Sequence, residues 1–302
     1  MTQSAPHLLA GGLALLAALQ FAAGSLLVKR GLAHGDSISG AAVSIASSFV
    51  VFALVAPFAV SGSDWLSPAV WIFAAVGLMR PVISTMLGNE GTRRLGPTVS
   101  STVESTSPLF AVAGGVLVLA EHLTLSTLLG TLGVVAGVLV LSQRDGKRRS
   151  WPLWALGFPL GASMIRSAAH VAVKMGLLLL PNVVLSGLVA YGVSLGVALG
   201  ILGLRRSHER RGGRAPGAPR WRSAAGIGWF ALNGLANAGA IFALNSALRI
   251  GDVVLVSPVT ASVPVFTLLG SWLFLRQEPL TGRMVLGALV VVPSVVLITL
   301  GR

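Results

Sequence analysis

The chain has no cysteine, nine acidic residues and five histidines among its 302 residues. Without cysteine there is neither a disulfide framework nor a thiolate metal site, and five scattered histidines give no ligand cluster, so no metal or other cofactor is expected. Charged residues make up only 10% of the chain, against about a quarter in an ordinary soluble domain. That scarcity excludes water as the main solvent. No G-x-x-x-x-G-K-S/T loop occurs, which excludes a built-in nucleotide motor of that type. Met1 to Pro6 carry no Lys or Arg, and the apolar run that follows exceeds the roughly 7 to 15 residues of a signal-peptide core, so it reads as a membrane span.

What the chain has instead is apolar length. Hydrophobic residues are 54% of the total, in ten runs near 7–28, 38–60, 68–88, 96–120, 124–142, 152–173, 183–204, 224–245, 252–275 and 280–300. A helix needs about 20 apolar residues to cross a bilayer core, whereas a barrel strand needs about 10 in alternation. The expectation is an all-α integral membrane protein with ten transmembrane helices.

The runs also repeat. LGPTVSSTVESTSPLFAV from Leu95 returns as IGDVVLVSPVTASVPVF from Ile250, with Gly96 answering Gly251, Pro108 Pro264, Phe110 Phe266 and Gly114 Gly270. Further on, Glu121 answers Glu278 and Thr124 answers Thr281. Val28-Lys29-Arg30-Gly31-Leu32 is echoed by Val173-Lys174-Met175-Gly176-Leu177. Two homologous halves follow, 1–145 and 146–302. Five spans is an odd number, so the second half enters the membrane inverted, the arrangement of many secondary transporters.

The net charge of +13 lies mostly in short connections. Connections one, three, five, seven and nine hold 17 Lys and Arg, while the termini and even connections hold Lys174, Arg249 and Arg302. Basic residues stay on the cytoplasmic side, so the odd connections read as inside and both termini as outside. The Arg-rich stretch 205–222 has only Trp221 as an aromatic. It reads as a retention signal touching membrane-lipid headgroups rather than as a nucleic-acid site.

The twice-occurring pattern at 95–141 and 250–300, a small-residue segment with Pro, then Glu, Leu-Thr and a Gly-rich run, resembles the EamA-type family of the drug/metabolite transporter superfamily. The resemblance implies ten helices around a central cavity lined mainly by the first, third and fourth spans of each half. It also implies a small-metabolite cargo and cytoplasmic termini, the opposite of the charge count.

Charges inside apolar runs are costly and therefore informative. Arg80 and Glu104 each lie eight residues from the same membrane face, about 12 Å deep at 1.5 Å per residue, and are expected to pair. The plainer account is a packing ion pair. The functional one has Arg80 bind an anionic cargo group while Glu104 exchanges a proton. Arg166 and His170 share a face of the sixth span at i, i+4, with Gln20 of the first span opposite by the repeat; cavity wall and interfacial snorkelling both fit. Asn233 and Asn237 repeat at i, i+4 in the eighth span, for cargo or for helix association. Pro108 and Pro264 break helical hydrogen bonds at equivalent places, as hinges or static kinks, with Ser107 and Ser257 available to bond the freed carbonyls. Gly192, Gly196 and Gly200 form a small-residue face for packing within the chain. Asn89, Glu90, Asn245, Glu121 and Glu278 read as turn or interface residues, and Thr124 and Thr281 as caps.

An intramembrane enzyme would need a nucleophile with a base or a metal set, and only Glu104, His170 and scattered serines offer themselves. The expectation is a non-enzymatic secondary transporter of the bacterial plasma (inner) membrane, monomeric or homodimeric. Its small-molecule substrate is an anionic or zwitterionic metabolite such as an amino acid, exported with proton coupling. The alternative is a transporter or flippase of a phosphate-bearing lipid or lipid-linked compound.

Overall fold

A computed structural model describes residues 4–95, 97–142, 153–211, 224–275 and 282–301. Long apolar runs fold as helices here because a helix satisfies its own backbone where water is absent. The helices are α1 (Ser4–Leu32), α2 (Ser37–Ala59), α3 (Ala69–Gly77), α4 (Ser84–Leu95), α5 (Pro97–Glu104), α6 (Ser107–Leu119), α7 (Leu125–Ser142), α8 (Gly157–Leu179), α9 (Val183–Arg211), α10 (Ala224–Ile250), α11 (Val253–Thr260), α12 (Val263–Gly270) and α13 (Gly282–Leu300). Among the described residues there is no strand. Seven segments are long and apolar enough to cross a membrane, and Ser107–Leu119, Leu125–Leu141 and Val285–Leu300 are shorter apolar helices. The charge-rich connections at 143–152, 212–223 and 276–281, with Glu278 and Thr281, lie outside the described residues.

Three of the expected runs are interrupted, each by proline. Between α3 and α4 a wide turn spans Leu78–Ile83, with Arg80 extended (φ −134°, ψ 139°) and a cis Arg80–Pro81 bond. Pro81 has no N–H, so the Gly77 carbonyl four residues earlier loses its helical donor. Ser194 of α9 supplies one, donating to the Gly77 oxygen at 2.7 Å and the Arg80 oxygen at 3.0 Å. The runs carrying Pro108 and Pro264 break at Ser105–Thr106 and Ala261–Ser262. Each proline opens the first turn of the following helix, α6 or α12, where its missing N–H is no loss. They are therefore starts of second segments rather than bends in the middle of one.

α1 lies along α10, α7 along α13, and α2 packs against both α9 and α10. Small residues permit these approaches. A Cβ on Gly137 of α7 would stand 3.0 Å from the Gly287 carbonyl of α13, and one on Gly287 the same distance from Gly137. The Ala10, Ala14 and Ala17 face of α1 is wholly buried, within a core that also holds Phe73, Leu244, Leu248 and Leu255. Gly192 does face Phe49, but nothing stands within 4 Å of a Cβ at Gly196 or Gly200, so most of that small-residue face does not pack within the described chain. At one end of the bundle Arg30 lies over Trp229 (5.2 Å) and Arg94 over Trp154 (4.7 Å), basic groups held on aromatic rings as at a membrane interface.

Candidate functional site

A cavity of about 570 Å³ runs through the bundle, within the size range of small-molecule sites. Its lining begins at exposed Leu32 and Ser37, beside the α1–α2 connection, and ends at buried Ser186 and Asn245. Asn245 Nδ2 donates to Ser186 Oγ at 2.9 Å, which makes that pair a floor. Asn245, read from the sequence as an interface residue, is thus part of the cavity. Beyond it Lys174 Nζ donates to the Gly251 carbonyl at 2.8 Å.

The walls come from α1, α2, α3, the Arg80 turn, the start of α4, α8, α9 and α10. The expectation that the fourth span of each half lines the cavity is not met among the described residues: none of those in α5, α6, α11 and α12 lines it, and α2 and α9 take their place. On α2, Ser44 Oγ donates to the Phe230 carbonyl (2.8 Å) and Ser48 Oγ to the Gly234 carbonyl (2.7 Å) of α10. Asn233 Nδ2 donates to Ser44 Oγ (2.8 Å) and Asn237 Nδ2 to Asn233 Oδ1 (3.2 Å). Both asparagines line the cavity, and Asn233 also ties α10 to α2 while Asn237 bonds to Asn233 within α10, so the two readings coexist at Asn233. Gln20 does not reach the cavity; it lies against Gly239 of α10, and its Oε1 is buried without a hydrogen-bond partner.

The charges pair differently from the expectation. Glu104 Oε2 accepts from Arg166 Nη2 at 2.6 Å, and Glu104 Oε1 from Ser100 Oγ at 3.2 Å. Arg80 has no such carboxylate among the described residues: its Nη1 lies 3.1 Å from His170 Nε2, and His170 Nδ1 lies 2.6 Å from Ser257 Oγ of α11. The expected Arg80–Glu104 pair fails because depth alone was matched. The extended backbone at Arg80 brings its side chain to His170, while Glu104 reaches Arg166 one turn earlier on α8. The carbonyl freed by Pro108 also finds an unexpected partner, since Ser163 Oγ of α8 bonds the Glu104 oxygen at 3.3 Å. Ser107 instead meets Ser167, and Ser257 serves His170.

Arg80 and Arg166 both face the cavity, and among the described residues no Asp or Glu lines it. The remaining polar lining is hydroxyl and amide, including Tyr191, the only tyrosine. The arrangement offers cations and neutral donors to an anionic group, beside apolar surface from Phe21, Val76 and Ile241. Sequence reasoning missed Ser44, Ser48, Ser186, Ser194 and Tyr191. The i, i+4 spacing of Ser44 and Ser48, matching that of Asn233 and Asn237, was the available signal.

Outside the cavity, Glu121 is more than a turn residue. Its two carboxylate oxygens accept the Val253 and Val254 N–H groups at 2.8 and 2.9 Å, capping α11, where Asp252 makes no side-chain cap bond. Burial pushes its carboxyl up, against the pull of those two donors. Thr124 Oγ1 accepts the Thr127 N–H at 3.2 Å, the expected cap of α7. Glu90 pairs with Arg94 (2.5 Å) at the interface.

The EamA-like transporter family model matches residues 8–143 and again 153–300. The chain belongs to the EamA-like transporter family. As a member it is a multi-pass membrane protein of a transporter family, with two EamA repeats. No curated protein matches the chain. A protein of known crystal structure superposes with a TM-score of 0.78 over 96% of each chain at 18% identity, a likeness of fold.

Proposed function

We propose that this EamA member is a secondary active transporter of a small anionic or zwitterionic metabolite such as an amino acid, bound in the cavity between Arg80 and the Asn233–Asn237 face. The observation that carries the reading is Arg80 itself, a cation that lines the cavity and is held by a neutral partner instead of a carboxylate. In a low-dielectric pocket a charge-assisted bond to such an arginine is strong and directional. Arg166, tied to Glu104, adds positive potential at the same wall, and the serine and asparagine donors orient the remaining polar atoms of the cargo.

Ten spans in two inverted five-helix repeats, 1–145 and 146–302, are part of this reading. The packing supports it, because pairings come in matched sets: α1 on α10 beside α8 on α3 and α4, and α1 on α12 beside α8 on α6. Charge bias supports a cytoplasmic location for the odd connections, in the plasma membrane of a bacterium, and the cavity rim at Leu32 and Ser37 lies beside the first of them. Loading from that side is the state an exporter presents. A reporter active only in the periplasm, fused at Arg302, tests this orientation; activity from a cytoplasmic reporter there reverses it.

The deciding experiment measures the melting midpoint of purified protein against anionic, zwitterionic and cationic metabolites and phosphate-bearing lipids. Ligands raise the midpoint by mass action, by about 2.7 kcal/mol in stability at a hundredfold excess over Kd. A shift with one anionic or zwitterionic class that disappears in Arg80→Ala supports the proposal. Shifts confined to phosphate-bearing lipids replace it with the lipid-carrier reading, and a cation-only response removes both.

A further inference from the structure

His170 is half-buried on α8 between the cavity wall and the second half's broken helix, and its two ring nitrogens are both engaged. A guanidinium can only donate. With Arg80 Nη1 at 3.1 Å, His170 Nε2 must therefore be the acceptor, so the ring is neutral, carries its proton on Nδ1 and donates it to Ser257 Oγ at 2.6 Å. A second proton on the ring would land on Nε2, the atom that accepts from Arg80. The imidazolium and the Arg80 contact are mutually exclusive.

The surroundings sharpen the conflict. The charges that act on His170 are Arg80, across from it, and Arg166, one turn earlier on α8. Arg166 is offset by Glu104 of α5. Lys174, one turn later on α8, is turned to the Gly251 carbonyl. The other neighbouring helices bring neutral groups: Ser257 from α11, Tyr191 and Ser194 from α9, Ser107 from α6, and Asn233 and Asn237 from α10. A protonated His170 adds a positive charge beside Arg80, which no carboxylate offsets among the described residues, and an anion in the cavity, in reach of Arg80, is what offsets it.

We propose that His170 is the positioning residue that couples cargo to protons: neutral, it holds Arg80; protonated, it releases Arg80 to the anionic group, so that one proton and one anion are bound and carried together. The proposal rests on the cavity reading above and adds the sense of coupling. Cotransport follows, with proton and anion taken up from the same side of the membrane and released together on the other. Cargo and proton do not exchange across the membrane in opposite directions.

The first test needs no cargo. In protein labelled with ¹⁵N on histidine and arginine side chains, with His170 assigned from the spectrum of His170→Gln, the resonances at high pH report the Nδ1–H tautomer. On acidification the Arg80 guanidinium signal moves with the same midpoint as His170. An Nε2–H tautomer, an Arg80 signal that stays put while His170 titrates, or a His170 that stays neutral wherever the protein remains folded each overturns the proposal. The second test uses L-glutamate as probe. Its affinity in the native protein tightens by about tenfold per pH unit on acidification, since the competent fraction falls by that factor above the titration midpoint. In His170→Gln, whose side-chain oxygen can accept from Arg80 while its amide donates to Ser257, the affinity is flat with pH and the melting midpoint is kept. Equal pH dependence in the two proteins overturns the coupling. Coupled His170 and Arg80 titrations without glutamate binding uphold the switch and exclude this amino acid as cargo.

Discussion

The two broken helices, α5–α6 and α11–α12, are the same device built twice and secured differently. Both break after eight residues, and both restart with a proline in the first turn. In the first, the residue before the break is Glu104, whose carboxylate takes Arg166 and whose carbonyl takes Ser163, so the break is bonded to α8 through side chain and backbone together. In the second, the corresponding residue is Thr260, whose hydroxyl turns back to the Val256 carbonyl of its own helix at 2.8 Å. That helix is secured at its beginning by Glu121 and at Ser257 by His170. Proline placement makes the shape, and the shape tolerates quite different polar partners. Charge has been concentrated at one break only, which makes a nominally twofold structure chemically one-sided.

The largest expected effect of breaking this contrast is at Glu104. Removing one member of a buried ion pair costs about 3–5 kcal/mol, and with Arg166 35% and Glu104 23% exposed, Glu104→Ala is expected to cost roughly 2 kcal/mol. Thr260→Ala, losing a bond within its own helix, is expected to cost less than about 1 kcal/mol. Denaturation midpoints of the two variants compare the breaks directly. A double-mutant cycle then separates the partners, with Glu104→Ala and Arg166→Ala strongly non-additive, and Glu104→Ala and Arg80→Ala nearly additive.

Next in size is the cap. Glu121→Ala leaves two N–H groups at the start of α11 without acceptors, a loss of about 1 kcal/mol by analogy with other caps. Because burial holds the folded carboxyl above its unfolded value of roughly 4.3, the folded state binds the extra proton. Stability from this group is therefore fullest below that value and declines as pH rises through the raised one. Glu121→Gln flattens this decline in melting curves taken across the acid range, and an unchanged slope refutes the assignment. Ser163→Ala is expected to cost about 1 kcal/mol by leaving the Glu104 carbonyl unpaired, with no counterpart loss at the second break.

The smallest effects belong to the prolines. Pro108→Ala and Pro264→Ala each restore an N–H where none is required, and each is expected to change stability by less than about 1 kcal/mol, mostly through the unfolded chain. If the breaks are hinges, transport rates in vesicles fall further than melting midpoints do. Parallel, negligible changes in both make the breaks static.

The all-helical membrane class and the places of the paired prolines were legible because they rest on composition and on proline, which act locally; seven of the apolar runs form helices of membrane length, and the break at Pro81 was not foreseen. The site was legible in its members and not in its pairings. Counting residues along a run gives depth, and Arg80 and Glu104 do share a depth. It does not give the direction a side chain takes around the helix axis, which at Arg80 is reset by one extended residue and by Pro81. The serines of α2 and α9 were passed over because each is unremarkable alone. Their meaning lies in which carbonyl they reach: for Ser194 the Gly77 oxygen that Pro81 leaves without a donor, for Ser44 and Ser48 two carbonyls of α10.

The Ser194 bonds to the Gly77 and Arg80 carbonyls carry a mechanical consequence. Ser194 belongs to the second repeat and the Arg80 turn to the first, yet one hydroxyl holds both sides of the turn. Sliding α9 past α3 would strip two acceptors at once, a cost that resists separating these elements. The seam left by the duplication is stitched shut at this point, and any shift of one copy against the other here must first give up that hydroxyl.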